Sequence, residues 1–583
     1  MIQVLKNMRL AAHTAGQHLT DDPMLLLLQV SRRVPSSVVS PLARLTSAAA
    51  PERSSAVLVL LASLIRGDND DVSRRLRLAA DRNISGEKAR KLADIALVAN
   101  QPELSDRLLA GAANAPGLKS AQARRLWYAG DLSGAVSVLT GSGRAGRQQQ
   151  SRLAGEAAVY AGAGPSLSRQ VFTPVPGRVL HLLTNSLPHT ASGYAQRSHS
   201  VMAAQQEAGW EVLAVTRLAY PVQVGKLLAQ SSDVVDGVRY RRLLPSRLAP
   251  AMDARLQQQA EELLKIALEF RPSILHTTTH FVNGLVVRAV AEALGIPWVY
   301  EVRGQLADTW AATHGPEAQD SEKYRLFRER ERDIMAGADL VVTLGHAMKA
   351  NIVAAGIPAE KVLISPNAVG GGFLRKPLDP AGARRVLGLP EDGLYIGTVS
   401  SLVAYEGLDD LVRAFALLAP EYPQLRLLIV GDGISKPSLV EQAGGLGLSD
   451  RVLFTGRVPR DLAPFYHQAL DVFVVPRKDL DVTRAVTPLK PVEALASARP
   501  VVGSDLPALR EIIDDGGNGL LATAEDPREL AHAISTLLSD ESYRAEMGRS
   551  GRLAVLAERT WAANATNLAA RYAQLHHEHE END

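Results

Sequence analysis

From Gly177 onward the sequence alternates short apolar segments with longer segments whose apolar residues recur at helical spacing. Such alternation predicts strands that pair in parallel through helical crossovers. The first set of predicted strands is RVLHLL, WEVLAVT, SILHTTT, PWVYEVRG and ADLVVTL. The second set, which starts near Leu394, is LYIGTVSSL, LRLLIVGDG, VLFTGRV, DVFVVPR and RPVVGSD. Two sets predict two doubly wound α/β domains, with ligand bound outside the carboxyl ends of the strands.

The residues before this region have a different composition, rich in Ala, Leu and Arg. KARKLADIALVANQ and AQARRLWYAGDLSGAVSVL are typical of successive helices joined by short turns, and the second is similar to one tetratricopeptide-type (TPR-like) hairpin. No fixed period runs through the region. The Gly- and Pro-containing stretch AGAGPSLSRQVFTPVPG is typical of a linker. We therefore expect an all-α domain over residues 1–165.

Charge and cysteine content exclude several classes of function. The formal net charge of the 583 residues is +2, so nucleic acid is not an expected partner. The absence of cysteine excludes disulfides and thiolate metal sites and suits a cytoplasmic protein. The segment MIQVLKNMRL, with Lys6 and Arg9, is either a plain first helix or an amphipathic helix that lies on the inner face of a membrane.

Several segments together resemble the retaining GT-B glycosyltransferases, the family 4-like group that includes bacterial enzymes of surface-polysaccharide synthesis. They include SGYAQRSHSVMAAQQEAGWEV, IGTVSSLVAYEGLDDLVRAF, LLIVGDG and VTPLKPVEALASARPVVGSDLPALREII. The resemblance covers roughly residues 178–575. It implies two Rossmann-like domains that face a cleft: an acceptor domain over 177–372 and a nucleotide-sugar donor domain over 373–557. A C-terminal helix over 558–577 would cross back to complete the acceptor domain.

The segment VTPLKPVEA carries the most chemical information. Proline is tolerated in a helix only in the first turn, so Pro488 and Pro491 predict that a helix begins here. The free N–H groups and positive dipole of a helix start suit an anionic diphosphate. Lys490 would add a full charge at the leaving group, and by resemblance Glu493 binds the ribose hydroxyls. The alternative is an ordinary exposed Lys–Glu pair.

The sequence departs from the family pattern in two places. The family has a second glutamate eight positions before Glu493, where this chain has Ala485. The usual phosphate-binding Arg and Lys fall at Ser401 and Glu406. A buried diphosphate carries about two charges and needs cations. The remaining candidates are Lys490, Arg477 and Arg484.

On the acceptor side, a turn at Ser192-Gly193 lets the backbone approach the donor phosphate. Glu301 and Arg303 follow a strand on one face, and Arg303 either pairs with Glu301 or contacts the sugar or an acceptor phosphate. The other polar positions at strand ends or the domain junction, which favour structural roles, are His276, His280 and Asn367.

Two strand-end turns are predicted on the nucleotide side, Gly431-Asp432-Gly433 and Thr455-Gly456-Arg457; by resemblance the first lines the diphosphate–ribose region and the second flanks the base. The predicted catalytic residues are Lys490, Glu493 and Arg303. The predicted donor-binding residues are Ser192, Gly193, Ser401, Gly431, Gly433, Thr455, Gly456, Arg477, Arg484, Thr487 and Leu489.

The resemblance implies that a hexose moves from a UDP- or GDP-sugar to a glycan or a lipid-linked, cell-surface acceptor. No acidic pair suggests a double-displacement nucleophile. The implied mechanism is front-side attack with retention, in which the departing diphosphate acts as the base. No Asp-x-Asp motif occurs at a strand end, so we expect no metal and no other cofactor. One alternative is a catalytically degenerate glycan- or partner-binding protein. Another makes the helical domain an adaptor for a membrane complex or for self-association.

Overall fold

The computed structural model describes residues 2–21, 24, 56–66, 68–82 and 84–582. Residues 1, 22–23, 25–55, 67 and 83 of the predicted helical domain lie outside the described residues. The helices of this N-terminal extension are α1 (Ile2–Asp21), α2 (Val57–Arg66), α3 (Asn69–Asp81), α4 (Gly86–Val98), α5 (Pro102–Ala110), α6 (Leu118–Ala129), α7 (Leu132–Ser137) and α8 (Arg144–Ala161).

The extension packs in two ways. Helices α2 to α5 enclose a core of their own, with Leu60, Leu76 and Leu92 fully buried. The helices on either side of this group contribute instead to the core of the first α/β domain, where Leu10 and Tyr160 lie among its buried residues. The extension is therefore attached by a shared core and not by a linker alone.

Lys323 strengthens this attachment from the α/β side. Its ammonium group lies 5.8 Å from the ring centre of Trp127 and 5.8 Å from that of Tyr160, both in the extension. It also lies 5.0 Å from the ring centre of Trp310, in its own domain. A cation over aromatic faces is stabilised by the ring quadrupoles. These contacts hold α6 and α8 against the first α/β domain.

An eight-stranded sheet forms the first α/β domain, in the order β3-β4-β2-β1-β5-β6-β7-β8. Its strands are β1 (Arg178–Leu183), β2 (Glu211–Thr216), β3 (Ser232–Val235), β4 (Val238–Arg242), β5 (Ile274–Thr278), β6 (Trp298–Val302), β7 (Leu340–Thr343) and β8 (Val362–Ile364). All neighbours pair in parallel except β3 with β4. The helices of this domain are α9 (Gly193–Glu207), α10 (Met252–Phe270), α11 (Phe281–Leu294), α12 (Leu306–Ala311), α13 (Glu322–Gly337) and α14 (His346–Ala354).

The sequence analysis did not predict the β3–β4 hairpin. Its turn residues Asp236 and Gly237 both have positive φ, at 45° and 82°. An Asp-Gly pair between two short β-branched segments is the usual signal for such a turn. The hairpin escaped detection because β3 lies at the edge of the sheet and its residues are not buried.

The second α/β domain contains a six-stranded parallel sheet in the order β11-β10-β9-β12-β13-β14. Its strands are β9 (Leu394–Val399), β10 (Leu425–Val430), β11 (Val452–Gly456), β12 (Val472–Val475), β13 (Val501–Ser504) and β14 (Gly519–Ala522). Its helices are α15 (Pro380–Leu387), α16 (Leu408–Leu418), α17 (Lys436–Gly445), α18 (Ala463–Gln468), α19 (Asp481–Ala485), α20 (Lys490–Ala496), α21 (Pro507–Arg510), α22 (Pro527–Ser539) and α23 (Glu541–Glu558).

The last helix, α24 (Trp561–Asn582), packs on the first α/β domain. Leu568 and Tyr572 lie in the same buried cluster as Val179 of β1. The hydroxyl of Tyr572 accepts a hydrogen bond from the side-chain amide of Gln205, 3.1 Å away. Two α/β domains preceded by a helical region confirm the predicted fold class. Among the described residues, no helix is both long enough and apolar enough to cross a bilayer.

Candidate active site at the junction of the two domains

Three loops lie side by side at the carboxyl ends of β9, β10 and β11. The amide of Gly431 donates to the carbonyl of Gly456, 3.0 Å away. Gly431 has a φ of 136°, and a Cβ on it would lie 1.9 Å from the Ser400 carbonyl oxygen. A Cβ on Gly433 would lie 2.1 Å from the carbonyl of Leu402. Both glycines are therefore required by the close packing of these loops.

The predicted residues Ser401, Thr455 and Gly456 lie on these same loops. Ser401 is exposed, and the hydroxyl of Thr455 donates to the carbonyl of Gly456, 3.0 Å away. The carboxyl ends of parallel strands share one edge of a sheet. The fold therefore brings together the predicted nucleotide-side positions, although they come from three strands.

Helix α20 begins at Lys490, where the two prolines predict a helix start. The Lys490 ammonium lies 2.9 Å from Glu493 Oε2, and the lysine side chain is 38% exposed. His467, fully buried, lies 3.4 Å from the same carboxylate oxygen. Burial alone would raise the pKa of Glu493, but the charge of Lys490 and the neighbouring His467 outweigh it and lower this pKa to about 2. Glu493 is thus a fixed anion beside Lys490, whose ammonium group has further N–H donors besides the one that Glu493 accepts.

The other two predicted cations also have carboxylate partners. The guanidinium of Arg477 donates two hydrogen bonds to Glu406, at 3.0 and 3.2 Å, and a third to the carbonyl of Val486, at 2.9 Å. Arg484 pairs with Asp479 and is half exposed. Of the three candidates, Lys490 combines a partly exposed charge with a position at a helix start.

The segment before α20 touches both domains. The side-chain amide of Asn367 donates to the carbonyl of Thr487, 2.8 Å away. The Thr487 hydroxyl donates to the carbonyl of Leu344, just after β7, at 3.3 Å. Leu489, the residue before the helix, already has helical φ and ψ of −77° and −36°. The start of α20 therefore lies at the junction of the domains.

A second polar contact crosses the same junction nearby. The carboxylate of Glu511, which follows α21, accepts hydrogen bonds from the backbone amides of His346 and Ala347, at 2.7 and 2.6 Å. These two amides open α14 in the first α/β domain, so the carboxylate caps that helix from the opposite domain. The junction is thus held by side chains of both domains.

In the first α/β domain, α9 begins at Gly193. The Ser192 hydroxyl accepts a hydrogen bond from the amide of Ala195, at 3.3 Å, and so caps the helix. No atom lies within 4 Å of the position that a Cβ on Gly193 would take. The next residue, Tyr194, is 50% exposed. The predicted Ser192-Gly193 turn is therefore a capped helix start with open space in front of it.

A buried ion cluster lies behind this helix start. The Glu301 carboxylate pairs with Arg197 at 2.7 Å and with Arg303 at 2.5 Å. Arg303 also donates to the Ser198 hydroxyl at 2.7 Å and to the Tyr194 carbonyl at 3.0 Å. Burial would raise the pKa of Glu301, but the two guanidinium groups hold it well below its ordinary value. Of the two predicted interpretations of Arg303, the structure displays the pairing with Glu301.

The sequence analysis missed Arg197, which joins this cluster to the domain junction. Its guanidinium donates to the carbonyls of Ser365 and Pro366, at 2.7 and 3.0 Å, and to Asn367 Oδ1, at 3.1 Å. Arg197 lies four residues after Gly193, so both fall on one helical face. This spacing from Gly193 was the sequence signal that could have identified Arg197 as a residue of the site.

Of the two predicted histidines, His276 is buried and His280 is partly buried. Burial lowers the pKa of His276 well below its ordinary value, and its imidazole hydrogen-bonds to the Tyr572 hydroxyl. Burial also lowers the pKa of His280, to about 4, and this side chain caps α11. Two neutral rings that pack against aromatic residues favour structural roles for these histidines.

Comparisons with known proteins bear on this arrangement. The "Glycosyl transferase 4-like domain" model matches residues 192–368, and the "Glycosyl transferases group 1" model matches residues 382–554. The GDP-mannose-dependent alpha-(1-6)-phosphatidylinositol monomannoside mannosyltransferase of Mycolicibacterium smegmatis is 30% identical over 262 residues, which cover 44% of this chain and 68% of that protein. The chain belongs to the GT-B glycosyltransferases. The predicted family is thereby confirmed.

Other GT-B glycosyltransferases match over shorter shares of their length. The D-inositol 3-phosphate glycosyltransferase of Thermobispora bispora is 30% identical over 229 residues, 37% of this chain and 51% of that protein. The enzyme of the same name from Stackebrandtia nassauensis is 30% identical over 307 residues, 50% of this chain and 66% of that protein. The chain thus spans between about half and two thirds of these relatives.

Solved GT-B structures share the fold. The sucrose-phosphate synthase of Thermosynechococcus elongatus superposes with a TM-score of 0.55 at 22% identity, over 68% of this chain and 99% of that one. HepE of Anabaena, solved in complex with UDP, superposes with a TM-score of 0.52 at 20% identity, over 68% of this chain and 100% of that one.

Proposed function

We propose that this chain is a retaining glycosyltransferase that transfers a hexose from a UDP- or GDP-sugar to a hydroxyl of a glycan or a lipid-linked acceptor. The observation that carries the proposal is the start of α20 at the domain junction, where Lys490 is partly exposed beside the fixed anion Glu493. The names of similar proteins support both donor classes. One relative is named as GDP-mannose-dependent, and HepE has been solved with UDP-glucose.

The charge balance at α20 supports a diphosphate ligand. An ammonium group has three N–H donors, and Glu493 takes one of them. The others and the charge are available to a diphosphate in front of the helix, where the N–H groups of the first turn also point. In this proposal Lys490 stabilises the negative charge that develops on the leaving diphosphate, which is the chief electrostatic need of the reaction.

Glu493 has a different part in the same proposal. Its carboxylate binds the ribose hydroxyls and also holds the Lys490 side chain in place. Because His467 lies behind the carboxylate and is itself fully buried, Glu493 has little freedom to move. A positioned pair of this kind orients the donor and so supplies part of the rate by proximity.

Retention is proposed on chemical grounds. Glu301 is buried and held by two arginines, so it is not available as a nucleophile. In front-side attack the acceptor hydroxyl adds to the anomeric carbon on the face that the diphosphate leaves, and a diphosphate oxygen takes the hydroxyl proton. The open space at Gly193 supports placing the sugar and diphosphate between α9 and α20.

A catalytically degenerate binding protein is the second candidate. It is favoured by Ala485, which is buried and has no carboxylate, and by Glu406, whose charge is neutralised by Arg477. One experiment separates the two candidates. A panel of UDP- and GDP-sugars is tested for a rise in Tm and for release of the nucleoside diphosphate.

A donor at about 100 times its Kd stabilises the folded protein by about 2.7 kcal/mol, which raises Tm by several degrees. We expect one donor to raise Tm and also to release UDP or GDP slowly without acceptor. A rise in Tm with no release or transfer under any condition would favour the degenerate protein. If no donor in the panel raises Tm, the donor assignment fails altogether.

A further inference from the structure

Helix α1 exposes an apolar strip. Leu5 is 54% exposed and Met8 53% exposed, and the next residues along this face, Ala12 and Ala15, are also exposed. Spacings of three and four residues place these side chains on one face of the helix. The opposite face carries Leu10, which is fully buried against the first α/β domain. A surface helix normally presents polar residues to water, so an exposed apolar strip in addition to the buried Leu10 departs from the usual pattern.

A loop that borders α1 adds to this apolar surface. The side-chain amide of Asn7 donates to the carbonyls of Leu227 and Ala229, both 2.9 Å away, so the backbone of the loop lies against the helix. The side chains of Leu227 and Leu228 are 39% and 75% exposed. We call the four side chains Leu5, Met8, Leu227 and Leu228 the α1 surface.

Positive charge flanks the α1 surface. Lys6, Arg9 and Lys226 are exposed. Within the residues that the structure describes, none of these three lies within 4.0 Å of a carboxylate. The sequence contains no Asp or Glu in residues 2–20 or 217–230. An apolar strip flanked by basic residues matches the acyl boundary and the anionic headgroups of a bilayer.

We propose that the α1 surface binds the face of an anionic phospholipid bilayer. Leu10 of α1 lies in the same buried cluster as Val222. Two residues before Val222, the Tyr220 hydroxyl donates to the Ser186 carbonyl, 2.7 Å away. Ser186 lies in the loop that leads to Ser192 and the start of α9. Because α1 packs on the core of the first α/β domain, membrane binding at α1 places the lipid on the side of that domain. The proposal does not depend on the identity of the donor.

The test is co-sedimentation of the full-length protein with two kinds of vesicle, phosphatidylcholine alone and phosphatidylcholine with about one third phosphatidylglycerol. We expect binding to the anionic vesicles and a progressive loss of binding as salt is raised, because salt screens the attraction to the headgroups. The double variants Leu5→Gln/Met8→Gln and Lys6→Glu/Arg9→Glu should each reduce partitioning on the order of tenfold or more.

The matched control is on α23 in the donor domain, where Leu553 is 72% exposed and Arg549 is also exposed. The variant Leu553→Gln/Arg549→Glu should sediment like the parent protein, and circular dichroism should show that all variants are folded. Three results would overturn the proposal: no binding to anionic vesicles, equal loss in the control, or unchanged vesicle binding in both α1 variants. A fall in oligomer mass in those variants, with vesicle binding unchanged, would assign the surface to a protein partner instead.

Discussion

The side-chain amide of Asn367 donates a hydrogen bond to the backbone carbonyl of Thr487, 2.8 Å away, and this buried bond joins the two α/β domains. The Asn367 carbonyl oxygen accepts from Arg197 at 3.1 Å. One amide therefore connects the ion cluster of the first α/β domain to the segment that leads into Lys490. The interpretation of Asn367 as a residue of the domain junction with a structural role agrees with these contacts.

Replacing Asn367 by Ala should destabilise the protein by about 1–3 kcal/mol, because a buried carbonyl and a guanidinium N–H lose their partner. Urea unfolding followed by circular dichroism measures the loss. Asn351→Ala is the control, since Asn351 is exposed and its side-chain amide donates to the Gln305 side-chain carbonyl oxygen, 3.3 Å away. Equal stability of the two variants would contradict the assigned role of Asn367.

Lys490→Ala should lower turnover on the order of 10²-fold, because a positioned charge that stabilises the leaving group is lost. Arg484→Ala serves as the comparison. Since Arg484 pairs with Asp479 at the surface, we expect a much smaller change. Steady-state kinetics with the donor found in the screen measures both. If Lys490→Ala retains near-normal turnover while folded, the diphosphate is bound elsewhere.

Glu493→Gln should weaken donor binding, measured by calorimetry, and should also change the pH dependence of stability. The folded-state pKa of Glu493 is about 2, below its ordinary value of 4.5. The stabilisation from the charged carboxylate is therefore complete above about pH 4.5 and is lost as the pH falls towards 2. We expect the difference in free energy of unfolding between parent and variant to be constant near neutral pH and to shrink below about pH 4.5. A difference that is already falling at neutral pH would contradict the assignment.

Arg197→Met should destabilise the protein by about 3–5 kcal/mol, since Glu301 then remains buried with one arginine fewer. The double variant Arg197→Met/Glu301→Gln removes the uncompensated charge and should recover part of the loss. Denaturant unfolding of the two single variants and the double variant measures this coupling. Strict additivity would mean that the two side chains do not act as a pair.

Treatment with EDTA should leave donor hydrolysis and transfer unchanged, because the proposed charge stabilisation comes from Lys490 and the start of α20. The measurement is the rate before and after chelation, with Mg²⁺ and Mn²⁺ added back separately. A rate that falls on chelation and returns with one ion would assign part of the leaving-group stabilisation to that metal.

The elements near the site were predictable from local patterns. Two prolines three residues apart predict the start of α20 at Lys490, and a Ser-Gly pair before a helical segment predicts the start of α9. Contacts between distant segments were not predictable. Arg477 and Glu406 are 71 residues apart and meet only because their strand ends are neighbours in the sheet. The capping of α14 by Glu511 depends likewise on how the domains face each other.

The shared core of the extension and the first α/β domain limits which deletions and substitutions the chain can tolerate. Leu10 and Tyr160 are buried among residues of the first α/β domain, and the rings of Tyr160 and Phe281 meet edge to face, 5.4 Å apart. Deleting residues 1–165 would therefore leave an apolar face open to water, and loss of activity in the truncated chain would report misfolding before it reported any lost docking function. The extension and the catalytic region are expected to coevolve, because a change of volume at Tyr160 must be matched across the boundary.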